Sequence, residues 1–508
     1  MTNFDVIIIG TGAANIIADA AIANGKSVAI IEKGAFGGTC LNRGCIPTKV
    51  MVTAANRVRE IRESARIGVN AGEPSIDWEV LSKRLWHKIG ENKGIKEYYA
   101  QFPNVHIYEG TASFASSKVI HISMNDGGSE MIRGEKIFIG VGARTNIPKI
   151  EGLQETGYIT SESFFGEKFP KKPYKSLIII GGGPIGCEFA HALDAAGTKV
   201  TIIQHNVRLL PKEDEDISAF LLKQFLSYGI DVKLNKNTIS VHKEGNEKVL
   251  IIKDRATGIE EAVKAEEILV SPGIVPVSDL LHLENTSVKT DKRGYILTNE
   301  FLETTQEGIW AIGDINGQAP FRHKANNEAE IASHNLFYEK DPQKWRWMRY
   351  DCIPAVTYTY PEAAHVGLTE ADARKKGFDV DVAVNHYSAS AKGYALGFEP
   401  GDEDDGFIKL ILDKKTEKIL GAYIIGPEAS ILIQPFVKSM VDGTSTVTLV
   451  HEEIGSETVR SLRALPLKRT LDSRSLQSFD ETMTPHPSLS EFTMWTRYYY
   501  KPERLLKK

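Results

Sequence analysis

The sequence predicts an α/β protein with two dinucleotide-type modules and a C-terminal α+β domain. Three observations carry this. The stretch DVIIIGTGAANIIADAAIANGKSVAIIE (5–32) reads strand, Gly-rich turn, Ala-rich helix, Gly stop and strand, which is one βαβ unit with parallel strands. The same order returns in LIIIGGGPIGCEFAHALDAAGTKVTIIQ (177–204), an internal repeat at domain scale. Beyond residue 350 the pattern turns to period-two alternation, as in FIKLILD, followed by a helix near ASILIQPFVKSMVDG.

A chain of 508 residues is too long for one core and suggests about three domains. The expected division is 1–150 with 275–348, then 151–274, then 349–508 with an insertion of uncertain structure near 445–482. Residues 55–100 read as charged amphipathic helices, 105–145 as short strands, and the Lys- and Pro-rich 166–176 as a linker. A net charge of −5 leaves no footprint for nucleic acid. The apolar runs are too short to cross a bilayer, and MTNFDVIIIG has no signal-peptide pattern. Four cysteines are no disulfide framework, so a reducing compartment, the cytoplasm, is expected. The tail KPERLLKK reads as solvated, and Tyr498-Tyr499-Tyr500 as a contact patch or a folded-down tail.

The turn GTGAAN places Gly10 and Gly12 before a helix N-terminus, whose free N–H groups suit a pyrophosphate. Glu32, twenty residues past Gly12, ends the second strand, where an acid can accept bonds from a ribose, and Lys33 follows it. Asn15 stands where a third glycine is expected. The second turn has all three glycines, Gly181, Gly183 and Gly186, but its strand ends in Gln204-His205-Asn206. Neither the acid that favours NAD nor a clear arginine device for NADP is present, although Arg208 is close.

Cys40 and Cys45 lie in GGTCLNRGCIPTK (37–49). A metal site would need a second half of Cys or His at similar spacing, and Cys187 and Cys352 stand alone. A structural staple would close a loop too small to constrain much of the unfolded chain. Five residues of ideal helix rise about 7.5 Å, more than a disulfide spans, so the backbone must bend, and Gly44 and Pro47 suit that. A short-loop pair beside a dinucleotide site reads as redox-active.

That segment resembles the active site of the flavoprotein disulfide reductases, the family of dihydrolipoamide dehydrogenase and glutathione reductase. The similarity covers nearly the whole chain through GTGAAN, GGTCLNRGCIPTK, GGGPIGCEFA, IWAIGDINGQAPFRHKA and HPSLSE, in that order. It implies two Rossmann-like domains, one for FAD and one for NAD(P), a C-terminal dimerisation domain and a homodimer. NAD is favoured over NADP. Cys45 resembles the thiol packed on the flavin, and Cys40 the thiol that exchanges with a dithiol or disulfide substrate. Lys49 and Glu188 match the ion pair beside the flavin. Gly38, Thr39, Gly142, Gly313 and Asp314 match FAD-binding positions, and Gly273 an NAD(P)-binding one. His486 and Glu491 match the acid–base histidine and its orienting carboxylate, which in this family reach the cysteines of the other subunit.

The HPSLSE ending is closest to dihydrolipoamide dehydrogenase and to mycothione reductase-type enzymes. Asn15, Gln204, Gly273-Ile274-Val275-Pro276 and Arg43 depart from the family pattern. Arg43, a cation between the cysteines, suggests with the insertion a site tuned to an anionic or bulky disulfide. The leading expectation is a dihydrolipoamide dehydrogenase; its rivals are a reductase of a low-molecular-weight or metabolite disulfide, an NAD(P)H oxidase or quinone reductase, and a non-catalytic subunit of a larger complex.

Overall fold

The computed structural model describes residues 1–496; the tyrosines at 498–500 and the basic tail lie outside the described residues. The first module holds β1 (Thr2–Ile9), α1 (Asn15–Ala23) and β2 (Val28–Glu32), followed by α2 (Gly38–Arg43) and α3 (Cys45–Glu63). Then come β3 (Val105–Ser116), β4 (Val119–Met124) and β5 (Ser129–Ile139). β3, β2, β1 and β5 lie parallel in that order, and Ile309–Ala311 joins the far side of β5. β4 is antiparallel to both β3 and β5. β1 and β2 carry continuous apolar runs because both faces are covered, and Ile7, Ile8 and Ile30 are fully buried.

In the second module, Glu267–Val270, Ser176–Ile180, Lys199–Ile203 and Asp231–Lys233 form a parallel sheet in that order. An antiparallel sheet over 236–265 packs against it through Val241, Leu250 and Ile252. A Cβ on Gly186 would lie 1.9 Å from the Gly181 carbonyl oxygen, so only glycine lets the helix Pro184–Ala195 press onto its turn. The third unit is a five-stranded antiparallel sheet, with Ile433 and Val437 of the helical segment behind it fully buried against one face. Its Phe407 and Tyr423 share one core with Phe189 and Phe225 of the second module.

The segment of uncertain structure, 445–482, is folded. Gly443–Thr446 pairs with Lys468–Leu471, and the helix Glu457–Arg463 lies between them. Val459 and Leu462 pack on Phe301 and Trp347. The Arg463 guanidinium meets the fully buried Glu300 at 2.6 Å. Its anchors in the first module are far away in sequence, which is why no local periodicity announced them. No helix among the described residues is long and apolar enough to cross a membrane.

Candidate redox site

Gly44 takes φ −142° and ψ −113°, ending α2 and letting α3 begin at Cys45, so the bend expected between the cysteines is present. The sulfurs of Cys40 and Cys45 and a ring nitrogen of His486 all lie within 4.8 Å of one another. Cys45 occupies the first turn of α3, where free N–H groups and the helix dipole favour an anion. Lys49 follows one turn later on the same face.

These surroundings split the two thiols. Cys45 is lowered to about 6, first by the hydrogen bond from Cys40 and then by Lys49, His486 and Arg322. Cys40 is pushed well up, first by burial and then by the neighbouring Cys45. In the reduced pair the anion therefore resides on Cys45 and the proton on Cys40. Lys49 donates to Glu188 at 2.8 Å, and the other Glu188 oxygen accepts the Tyr358 N–H at 3.0 Å. Lys49 also stands 4.4 Å over the Tyr358 ring, so its ammonium ties α3, the second module and the third unit together.

His486 Nε2 is 3.3 Å from Cys40 Sγ, and its Nδ1 faces Glu491 Oε1 at 2.7 Å. A carboxylate on Nδ1 directs the free Nε2 lone pair at the thiol. The Ser488 hydroxyl donates to the Ser430 carbonyl, and Gln434 donates to the Met483 carbonyl, so the segment is held from both ends. The resemblance implies a histidine serving the other subunit; the structure instead sets His486 against the cysteines of its own chain. The folded 443–482 segment docks on that chain's first module and leads the backbone back.

The remaining site residues line the two turns. Gly10 has φ +93°, and a Cβ there would meet the Gly140 carbonyl at 2.5 Å. No atom lies within 4 Å of a Cβ placed on Gly12, which leaves room for a phosphate. Gly38 packs against Gly12, seating the cysteine segment on this turn. Glu32 accepts from the Thr11 N–H at 2.9 Å, while Lys33 and Thr39 are exposed. Gly142 has φ +71° with open space above it. Gly313 is fixed between the buried Glu328 and Lys324, and no described group hydrogen-bonds the Asp314 carboxylate. The Asn15 side-chain oxygen is buried without a partner. Open space, a free acceptor and an orphaned polar atom fit a dinucleotide such as FAD. At the second turn Gly181 has φ +117°, Gly183 is open, Gln204 is buried, and Gly273 has φ +134°.

Arg43 is not a free cation. It donates to Glu162 at 2.5 Å, both side chains being roughly half exposed. An exposed pair of this kind is weak, so Glu162 screens the Arg43 charge without removing it from the substrate mouth. Arg43→Val is expected to lower the kcat/KM ratio of anionic to neutral disulfides by up to about fivefold, the worth of one exposed charge contact. Steady-state assays on both substrate types check this.

Residues 4–329 match the pyridine nucleotide-disulphide oxidoreductases, and 353–457 match the dimerisation domain of the same enzymes. The chain belongs to that family. Mycothione reductase of Mycobacterium tuberculosis is 32% identical over 455 residues, covering 89% of this chain and 95% of that protein. Dihydrolipoyl dehydrogenase of Haloferax volcanii is 30% identical over 439 residues, covering 85% and 89%. Among solved structures, the Cu(II) complex of the HOCl-induced flavoprotein disulfide reductase RclA of Escherichia coli matches with a TM-score of 0.75 and 26% identity. That match covers 99% of this chain and 100% of the other.

As a pyridine nucleotide-disulphide oxidoreductase, the chain contains site residues that its motifs did not single out. Arg322 adds positive field at both cysteines, and its only signal was its place in IWAIGDINGQAPFRHKA. Tyr358 and Glu162 had none. His323 is buried on the Pro354 carbonyl, and Cys187 and Cys352 are buried, as expected of packing residues. The argument against a metal looked for a second ligand pair nearby in sequence. In space His486 is a third donor beside Cys40 and Cys45.

Proposed function

We propose that the chain is an FAD-dependent NAD(P)H:disulfide oxidoreductase, converting NAD(P)H, a proton and a disulfide into NAD(P)+ and two thiols, or the reverse. The contact between Cys40 and His486, beside an anionic Cys45, carries this reading. Bound FAD, held by Gly10, Gly12, Gly38 and Asp314, supplies the two-electron link between nicotinamide and the cysteine pair. His486 takes the Cys40 proton, and the Cys40 thiolate attacks one substrate sulfur, breaking the S–S bond. The leaving thiolate takes the proton back from His486. Cys45 then attacks Cys40 Sγ, releasing the second substrate thiolate and closing the Cys40–Cys45 disulfide. Two electrons and a proton restore the pair.

The dimerisation domain supports a homodimer. Among substrates we favour a lipoyl dithiol, with a mycothione-like low-molecular-weight disulfide as the alternative. Parallel assays with dihydrolipoamide and low-molecular-weight disulfides decide between them. A kcat/KM at least about tenfold higher for the lipoyl couple is expected, and the opposite order would transfer the assignment.

A second reading rests on the two soft sulfur donors Cys40 and Cys45 with the imidazole of His486 beside them. RclA, solved as a Cu(II) complex, is a structural relative. The reduced chain is expected to bind one equivalent of Cu(I), and binding should be lost in Cys40→Ser. Competition with a Cu(I) chelator measures it.

A further inference from the structure

We infer that the second dinucleotide turn is built for NADPH, with Arg255 and Arg208 receiving the adenosine 2′-phosphate at the end of the strand Lys199–Ile203. This rests on the oxidoreductase reading and adds the identity of its nucleotide. The two turns of this one chain act as internal controls for each other. In the first, Glu32 Oε2 accepts the Thr11 N–H at 2.9 Å and the Thr11 hydroxyl at 2.7 Å. In the second, Gln204 Oε1 accepts the Gly182 N–H at 3.0 Å. Gln204 therefore keeps the bond that braces the turn and omits the charge that would repel a phosphate. Its amide nitrogen donates to the Arg208 carbonyl at 3.0 Å, folding residues 205–208 back over the strand end.

The cations are supplied from two sides. Arg255 comes from the turn after Glu247–Asp254, on the neighbouring antiparallel sheet. Its guanidinium donates to the His205 carbonyl at 3.1 Å and to the Asn235 side-chain oxygen at 3.3 Å. Both partners are neutral, and among the described residues Arg255 forms no ion pair. An exposed arginine held at the ribose end of a nucleotide strand, with its charge uncompensated, is suited to a dianion. Arg208 pairs with Glu215 at 2.6 Å, but Glu215 is 83% exposed, so a phosphate can displace it at little cost. Two acids of the same antiparallel sheet are committed elsewhere. Asp254 accepts from Lys236 and from the N–H groups of Ala256 and Thr257, and Glu261 pairs with Lys233 and Lys236. The open space over Gly183 and the N-terminus of the helix Pro184–Ala195 remain for the pyrophosphate.

The test is calorimetric binding of 2′,5′-ADP and of 5′-AMP to the full-length flavoprotein, alongside kcat/KM for NADPH and NADH. Wild-type protein is expected to bind 2′,5′-ADP about ten- to a hundredfold more tightly than 5′-AMP, the range of one or two charge-assisted phosphate contacts. Arg255→Gln should remove most of that difference with 5′-AMP affinity moving by less than about twofold; Gln204→Glu should remove it while tightening 5′-AMP through its ribose 2′-hydroxyl, and Arg255→Lys should retain part of it. Equal or tighter binding of 5′-AMP overturns the inference and returns the site to NAD, leaving the disulfide chemistry untouched. Failure to bind either nucleotide while FAD is retained would overturn the oxidoreductase reading as well.

Discussion

Replacing Cys40 or Cys45 by serine removes disulfide turnover, by at least about a thousandfold in kcat, while the protein retains FAD and its flavin is still bleached by NAD(P)H. One thiol cannot close the intramolecular disulfide that returns the second electron, and a serine hydroxyl does not ionise near neutrality to replace it. The two variants should differ in colour. Two-electron reduction of the wild type is expected to give a long-wavelength band from the Cys45 thiolate against the flavin. Cys40→Ser should keep it, because Lys49 and the start of α3 still favour the anion. Cys45→Ser should lack it. In the wild type the band should fade as the pH falls through about 6, where the Cys45 thiolate takes up its proton. An anaerobic titration at several pH values checks all of this. Unchanged turnover in both variants would transfer the chain to the oxidase class.

What the sequence made legible was periodic or contiguous. Both βαβ units, the βαβ glycines and the bend at Gly44 needed no tertiary information, because each is a local demand of the backbone. Gly186 is the clearest case: a Cβ there would collide with Gly181, five residues earlier. The relations that set the chemistry are not local. Lys49 reaches Glu188 across 139 positions, and Cys40 reaches His486 across 446. Motif resemblance could pair those residues, but it implied the other subunit for the histidine. Arg43 shows the converse case. Read alone it was a cation at the substrate mouth, and only folding brought Glu162 beside it. Segment 445–482 was of uncertain structure in the sequence because contacts that anchor it, Arg463 to Glu300 and Leu462 to Trp347, lie with a module distant in sequence.

His486→Gln should lower the disulfide half-reaction by about a hundred- to ten-thousandfold, with flavin reduction by NAD(P)H changing less than about threefold. The split follows from geometry: Nε2 faces Cys40, the high-pKa thiol of the pair, and nothing in the nicotinamide half needs that proton. Cys40 is where a base is required, since burial disfavours its thiolate, whereas Cys45 is already ionised by its neighbours. Raising the pH should therefore rescue His486→Gln in part, as hydroxide takes over deprotonation of Cys40. Cys40→Ser, lacking the nucleophile, should show no such rescue. Glu491→Gln should also slow the disulfide half-reaction, by up to about ten-thousandfold, because an amide N–H facing Nδ1 holds the wrong imidazole tautomer and no longer stabilises the imidazolium. Stopped-flow measurement of the two half-reactions separates these cases. Equal loss in both halves would mean that His486 supports the fold of the site rather than moving its proton.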